Sequence, residues 1–166
     1  MTSPLNTTSP NTPVSKSSGQ QADPDDPLVV AAGVENAAVF TYGVITAFVA
    51  ASRRRTVADY AAAHRARRDE IERAIEAAGN TPPPAAAGYT LPVEVTDPAT
   101  AARAALSAEI DCTNAYRALL EQAGDETGRR IGVDGLSESA VRAARWRVVL
   151  QESPVTVAFP GSPADG

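Results

Sequence analysis

The 166-residue chain contains one cysteine, one histidine and one tryptophan, and Lys16 is its one lysine. A lone Cys112 excludes an internal disulfide and any cysteine-cluster zinc site. A lone His64 excludes histidine-rich metal sites. Aromatic residues make up only 5% of a chain that is 43% apolar, so the core must be built mainly from Ala, Val, Leu and Ile. That composition favours helix. Positive charge is also short: the formal net charge is −5. A nucleic-acid binder normally presents a basic face, so no nucleic-acid partner is expected. There is no glycine-rich phosphate loop, no HExxH and no supported Ser/His/Asp set. The opening MTSPLNTTSP has no charged stretch followed by an apolar run, so no signal peptide is read there and the expected location is the cytoplasm.

What is present divides into a tail and a helical body. Residues 1–27 are nearly all Ser, Thr, Pro, Asn, Gln and Asp. Such a segment buries too little to offset its ordering entropy, and it is expected to be disordered and to add nothing to the fold. Residues 28–51 are apolar on most sides, with Glu35 the sole charge. This length could cross a bilayer, but a carboxylate inside a membrane is costly, and a helix apolar all round also suits the most buried position of a bundle. No membrane partner is therefore expected. Residues 56–78 form a second helix, capped by Thr56 or Asp59 and ended by Gly79, with His64 on its apolar face. Residues 81–97 hold Pro82, Pro83, Pro84 and Pro92 and are too long for an ordinary helix–helix turn. They can run the length of a bundle. Asp97 and Pro98 then suit the start of a third helix reaching about Ala123. A fourth runs from about Asp125 to Leu150, its first half weakened by Gly128, Gly132 and Gly135. Residues 155–161 are apolar enough to pack back on the bundle, and the body is taken as 28–160 with a C-terminal tail at 161–166.

The four helices repeat one pattern. Glu35 precedes Tyr42 by seven residues, and Glu109 precedes Tyr116 by seven. His64 follows Tyr42 by 22 residues, and Glu138 follows Tyr116 by 22. Arg68 in the first half matches Arg142 in the second. Seven residues are nearly two helical turns, which puts Glu and Tyr on one face about 10.5 Å apart. Glu35, His64, Glu109 and Glu138 are thus expected to converge, one from each helix, in a candidate divalent-metal environment. Tyr42, Tyr116, Arg67, Arg68 and Arg142 stand behind them. Three buried carboxylates need compensation by a metal, by arginines, by protons or by water. Read singly, His64 is a hydrogen-bonded core histidine, Cys112 a small core hydrophobe and Trp146 a packing anchor.

Two helix pairs, a long crossover and an inward Glu on each first helix resemble the ferritin-like superfamily. The segments ENAAVFTYGVITA, AAHRARRDE, SESAVRAARWR and PVTVAFPG are similar to a family of small actinobacterial ferritin-like proteins of unassigned function. The resemblance implies an all-α, up-down four-helix bundle with the crossover between helices two and three. The cofactor is left open, with iron or another divalent metal as the candidate. A complete di-iron site takes single glutamates from two helices and Glu-x-x-His from the other two. Here Glu35 and Glu109 match the single glutamates, but Val141 stands where a His would follow Glu138. On the second helix either Arg67 replaces the His, or His64 is the His and Ala61 replaces the Glu. The expectation is a degenerate core site for at most one metal ion or a small ligand. A metal-free structural or interaction module is the alternative, and an active di-iron oxidase or peroxidase is the weakest reading. A homodimer through the bundle is the protein partner considered.

Overall fold

The computed structural model describes residues 20–162. Four helices dominate it: α1 (Pro27–Ile45), α2 (Arg54–Ala77), α3 (Pro98–Gln122) and α4 (Glu126–Leu150). Three of the four starts are fixed by an aspartate, whose carboxylate satisfies backbone N–H groups that a helix leaves unpaired. Asp26 accepts from Leu28 N at 2.8 Å, with Pro27 in the first turn. Asp97 and Thr100 form a reciprocal capping box in front of α3. Asp125 accepts from Gly128 N at 2.7 Å. The start of α2 has no side-chain cap, so the caps expected at Thr56 and Asp59 do not form. It is entered instead through a single 3-10 turn, Ala51–Arg53. Gly79, at φ +84°, reverses the chain after α2 as expected.

α1 is shorter than its apolar run. It stops at Ile45, where Phe48 N and Val49 N both donate to Ile45 O and turn the chain at the end of the bundle. By length and composition α1 could cross a membrane, but half of its apolar window is buried here and it packs between α2 and α3.

Side-chain pairings give the helix directions. Glu35 and Tyr42 of α1 meet Tyr116 and Glu109 of α3, so α1 and α3 are antiparallel. Tyr60 and Arg67 of α2 meet Arg145 and Glu138 of α4, which are antiparallel too. The crossover therefore carries the chain back along the bundle before α3 begins. It lies on the core through buried Val95 and half-buried Leu91 and Val93, and the Tyr89 ring packs at a tilt against Phe40 with ring centroids 5.6 Å apart. The fold is a ferritin-like all-α four-helix bundle.

One tail expectation needs correction, and the other holds for the backbone. Residues 20–26 are part of the fold. β1 (Gln20–Gln21) pairs in parallel with β2 (Asn80–Thr81), Ala22 N donates to Thr81 O at 3.1 Å, and Ala22 is buried. Low hydrophobicity concealed this because the contact is made by backbone. The disorder expected for residues 1–19 lies outside the described residues, as does 163–166. At the other end, residues 155–161 fold back on α3, where Gly161 sits against Thr113 O and Arg117 reaches Ser162. Their apolar side chains stay outside, with Phe159 71% exposed.

Candidate metal centre

Three of the four residues singled out by the repeat meet in the middle of the bundle. Glu35 on α1, His64 on α2 and Glu109 on α3 are each at most 1% exposed. His64 Nδ1 lies 2.7 Å from Glu35 Oε2, and His64 Nε2 lies 3.1 Å from Glu109 Oε1. The imidazole therefore bridges two carboxylates. Tyr116 donates its hydroxyl to Glu35 Oε1, and Tyr42 donates to Glu109 Oε1 at 2.5 Å. Trp146 Nε1 donates to the Tyr42 oxygen at 2.8 Å, so Trp146 orients the site as well as filling space.

Charge in this pocket is managed by protons. Burial alone would depress the His64 pKa, but the hydrogen bonds to Glu109 and Glu35, with their charges, outweigh it and raise it from 6.5 to about 9. An imidazolium between two carboxylates is the consistent state at neutral pH. Burial, the Glu109 charge and its hydrogen bond hold the Tyr42 phenol well above its ordinary value, and burial beside Glu35 does the same for Tyr116. Both tyrosines are therefore neutral donors. Among the described residues, Glu109 Oε2 is a buried carboxylate oxygen without a hydrogen-bond partner. Such an atom is costly to leave unpaired.

Glu138 does not join this group. Its side chain is 48% exposed and is held at the seam between α2 and α4 by Arg67 at 3.0 Å and Arg142 at 2.9 Å. The reason is the rotation of α4. Its inward line is Ile131, Gly135, Ser139, Ala143 and Trp146, and Glu138 falls to the side facing α2. Gly135 explains the rotation, since a Cβ there would collide with the Tyr116 ring that reaches Glu35. The glycines of α4 thus admit a close approach to α3 and are more than weak helix formers.

The arginines also sit differently from expectation. Arg67 and Arg142 compensate Glu138, with Arg67 also pairing Glu70 at 2.7 Å. Arg68 turns to Asp69 at 2.7 Å. None hydrogen-bonds Glu35 or Glu109, whose partners are the imidazole and the two phenols.

Cys112 is the residue sequence reasoning passed over. It lies one turn beyond Glu109 on α3 and is fully buried. One ligand atom each from Glu35, His64 and Cys112 lies within 4.8 Å of the others. Burial, then the charges of Glu35 and Glu109, push its thiol well above its ordinary pKa. The three-residue step puts Cys112 on the inward face of α3 with Glu109, but only the packing of α1 and α2 brings it to Glu35 and His64.

The four-helix bundle has a ferritin-like fold. Within that class, the chain belongs to the family described as "Domain of unknown function (DUF4439)", which matches residues 28–164. It is similar to the crystal structure of a conserved hypothetical protein, rv2844, from Mycobacterium tuberculosis. The two share 41% identity over 75% of this chain and 94% of that one, with a TM-score of 0.72. A dodecameric thioferritin, the bacterioferritin-related protein from Bacteroides fragilis, shares the fold at 20% identity and a TM-score of 0.65, over 76% of this chain and 83% of that one. Dps from Listeria monocytogenes does so at 14% identity and a TM-score of 0.65, over 79% and 96%. Among curated proteins none matches the chain.

Proposed function

We propose that this chain is a ferritin-like protein that holds one divalent cation at Glu35, His64 and Cys112, with Glu109 on the far side of the imidazole. The observation that carries the reading is the buried group of three ligand atoms, one each from Glu35, His64 and Cys112, all within 4.8 Å of one another. A two-iron centre does not fit these residues. Val141 occupies the place of a histidine and is half exposed, Arg67 stands on α2, and Glu138 is tied to two arginines. A single ion fits the donor set. A mixed nitrogen, sulfur and oxygen set suits zinc or another late first-row metal. The ion would supply positive charge where the imidazolium proton now sits, so binding is an exchange of protons for metal. Glu109 would accept the remaining ring N–H, the arrangement that commonly orients a ligating histidine.

The second reading is a metal-free core, favoured by the engagement of both His64 nitrogens at hydrogen-bond distance. Metal analysis of the purified protein, before and after incubation with zinc or cobalt(II), separates the two. The expected result is one ion per chain, with a thiolate-to-cobalt absorption band that Cys112→Ser abolishes. No bound metal under either condition, with the fold intact, supports the metal-free reading. A cytoplasmic location and a homodimer through the bundle belong to the same proposal, and fractionation and light scattering test them.

A further inference from the structure

At one end of the bundle the start of α2 and the last turns of α4 do not close on each other. A cleft of about 410 Å³ opens there, lined by Arg53, Thr56, Tyr60, Arg145, Trp146 and Val149. This volume falls within the range of about 300–1,000 Å³ usual for small-molecule sites. The inner wall is aromatic and rigid. Tyr60 and Trp146 are buried and meet edge to face, with centroids 6.4 Å apart. The rim is cationic. Arg145 Nη1 donates to the Tyr60 hydroxyl at 2.9 Å, and among the described residues neither Arg53 nor Arg145 has a carboxylate within ion-pair distance. Arg54 and Arg55 follow on the same turn, and the nearest acid on α2, Asp59, is 4.0 Å from Arg55. An apolar slot with aromatic walls and two uncompensated guanidinium groups is complementary to a flat ring carrying an oxyanion.

We propose that this cleft binds a small aromatic anion, with the ring against Tyr60 and Trp146 and its carboxylate or phosphate between Arg53 and Arg145. The site is separate from the metal centre but not isolated from it. Trp146 donates to Tyr42, and Tyr42 donates to Glu109, so the cleft wall is two hydrogen bonds from the central carboxylate.

Trp146 is the only tryptophan, so its emission reports on the cleft directly. The experiment titrates the full chain with phenyl phosphate, phenylacetate, benzyl alcohol and inorganic phosphate, reading Trp146 emission and calorimetric heat together. The expected result is saturable binding of phenyl phosphate or phenylacetate. Whichever of the two binds more tightly identifies the phosphate or the carboxylate as the preferred group. Benzyl alcohol and inorganic phosphate should bind at least tenfold more weakly. Arg145→Gln, a change at an exposed side chain, should weaken the aromatic anion at least tenfold while leaving the circular dichroism unchanged. Equal binding of benzyl alcohol would reduce the cleft to an apolar dent. Equal binding of inorganic phosphate would reduce it to a patch of charge. No saturable change with either aromatic anion, or unchanged affinity in an Arg53→Gln, Arg145→Gln double variant, overturns the proposal.

Discussion

The Tyr116 hydroxyl donates to Glu35 across the interface between α3 and α1, and the reverse pair, Tyr42 to Glu109, repeats the contact two turns away. Two helices that each carry Glu and Tyr seven residues apart and pack antiparallel must bring each Glu to the other's Tyr. The internal repeat is therefore more than a coincidence of spacing, because it builds a reciprocal lock. The imidazole of His64 closes it from α2.

Breaking one half of that lock removes a donor from a buried carboxylate. Tyr116→Phe should destabilise the protein by about 1–3 kcal/mol, since the phenyl ring still fills its space but the Glu35 oxygen loses its donor. Tyr42→Phe should cost a similar amount or more, because Trp146 Nε1 also loses its acceptor. Chemical denaturation of both single variants and of the double variant measures the losses and any coupling.

The close approach at Gly135 gives a sharper steric prediction. Ala at 135 would meet the Tyr116 ring in the core, and overpacking of this kind costs roughly 1–3 kcal/mol. Gly33, whose added Cβ meets nothing within 4 Å, is the control: Gly33→Ala should be neutral or stabilising. Thermal melts of the two variants should move apart.

Stability of the metal-free protein should depend on pH through His64. Its folded pKa, about 9, lies above its unfolded value of 6.5. A raised pKa means that the stabilisation is fully present below pH 6.5 and is lost as pH rises through 9. The groups facing the ring are Glu35 and Tyr42 from α1, and Glu109 and Cys112 from α3. The contribution is on the order of 3 kcal/mol at most. Denaturation midpoints across this window should fall with rising pH, and the fall should flatten in His64→Gln. A midpoint that rises over the same window would exclude an imidazolium bridge.

Removal of residues 1–26 should lower the melting temperature by several degrees. It deletes β1, buried Ala22 and the Asp26 cap of α1, of which the cap alone is worth about 1 kcal/mol. Asp26→Ala isolates that part. An unchanged melting temperature would mean that the strand pair contributes nothing to stability.

Much of the architecture was legible in the amino-acid sequence. Helix starts at Asp97 and Asp125, the stop at Gly79, the proline-rich crossover and the Glu–Tyr faces follow from local chemistry. Capping, backbone freedom and the 3.6-residue period act within a few residues of chain. The meeting of Glu35, His64 and Glu109 was legible too, because burial and periodicity fix which side of a helix faces inward.

Glu138, the arginines and Cys112 were decided by tertiary structure. A 22-residue interval spans a loop, so it cannot fix the rotation of α4. That rotation is set by Gly135 against Tyr116, and it sends Glu138 to Arg67 and Arg142. Cys112 reads as one more core residue until the third dimension brings its sulfur beside Glu35 and His64. The strand made by Gln20 and Gln21 is invisible in side-chain composition because backbone groups make it. Periodicity determines which residues point inward, and only the packing of one helix on another decides which of them touch.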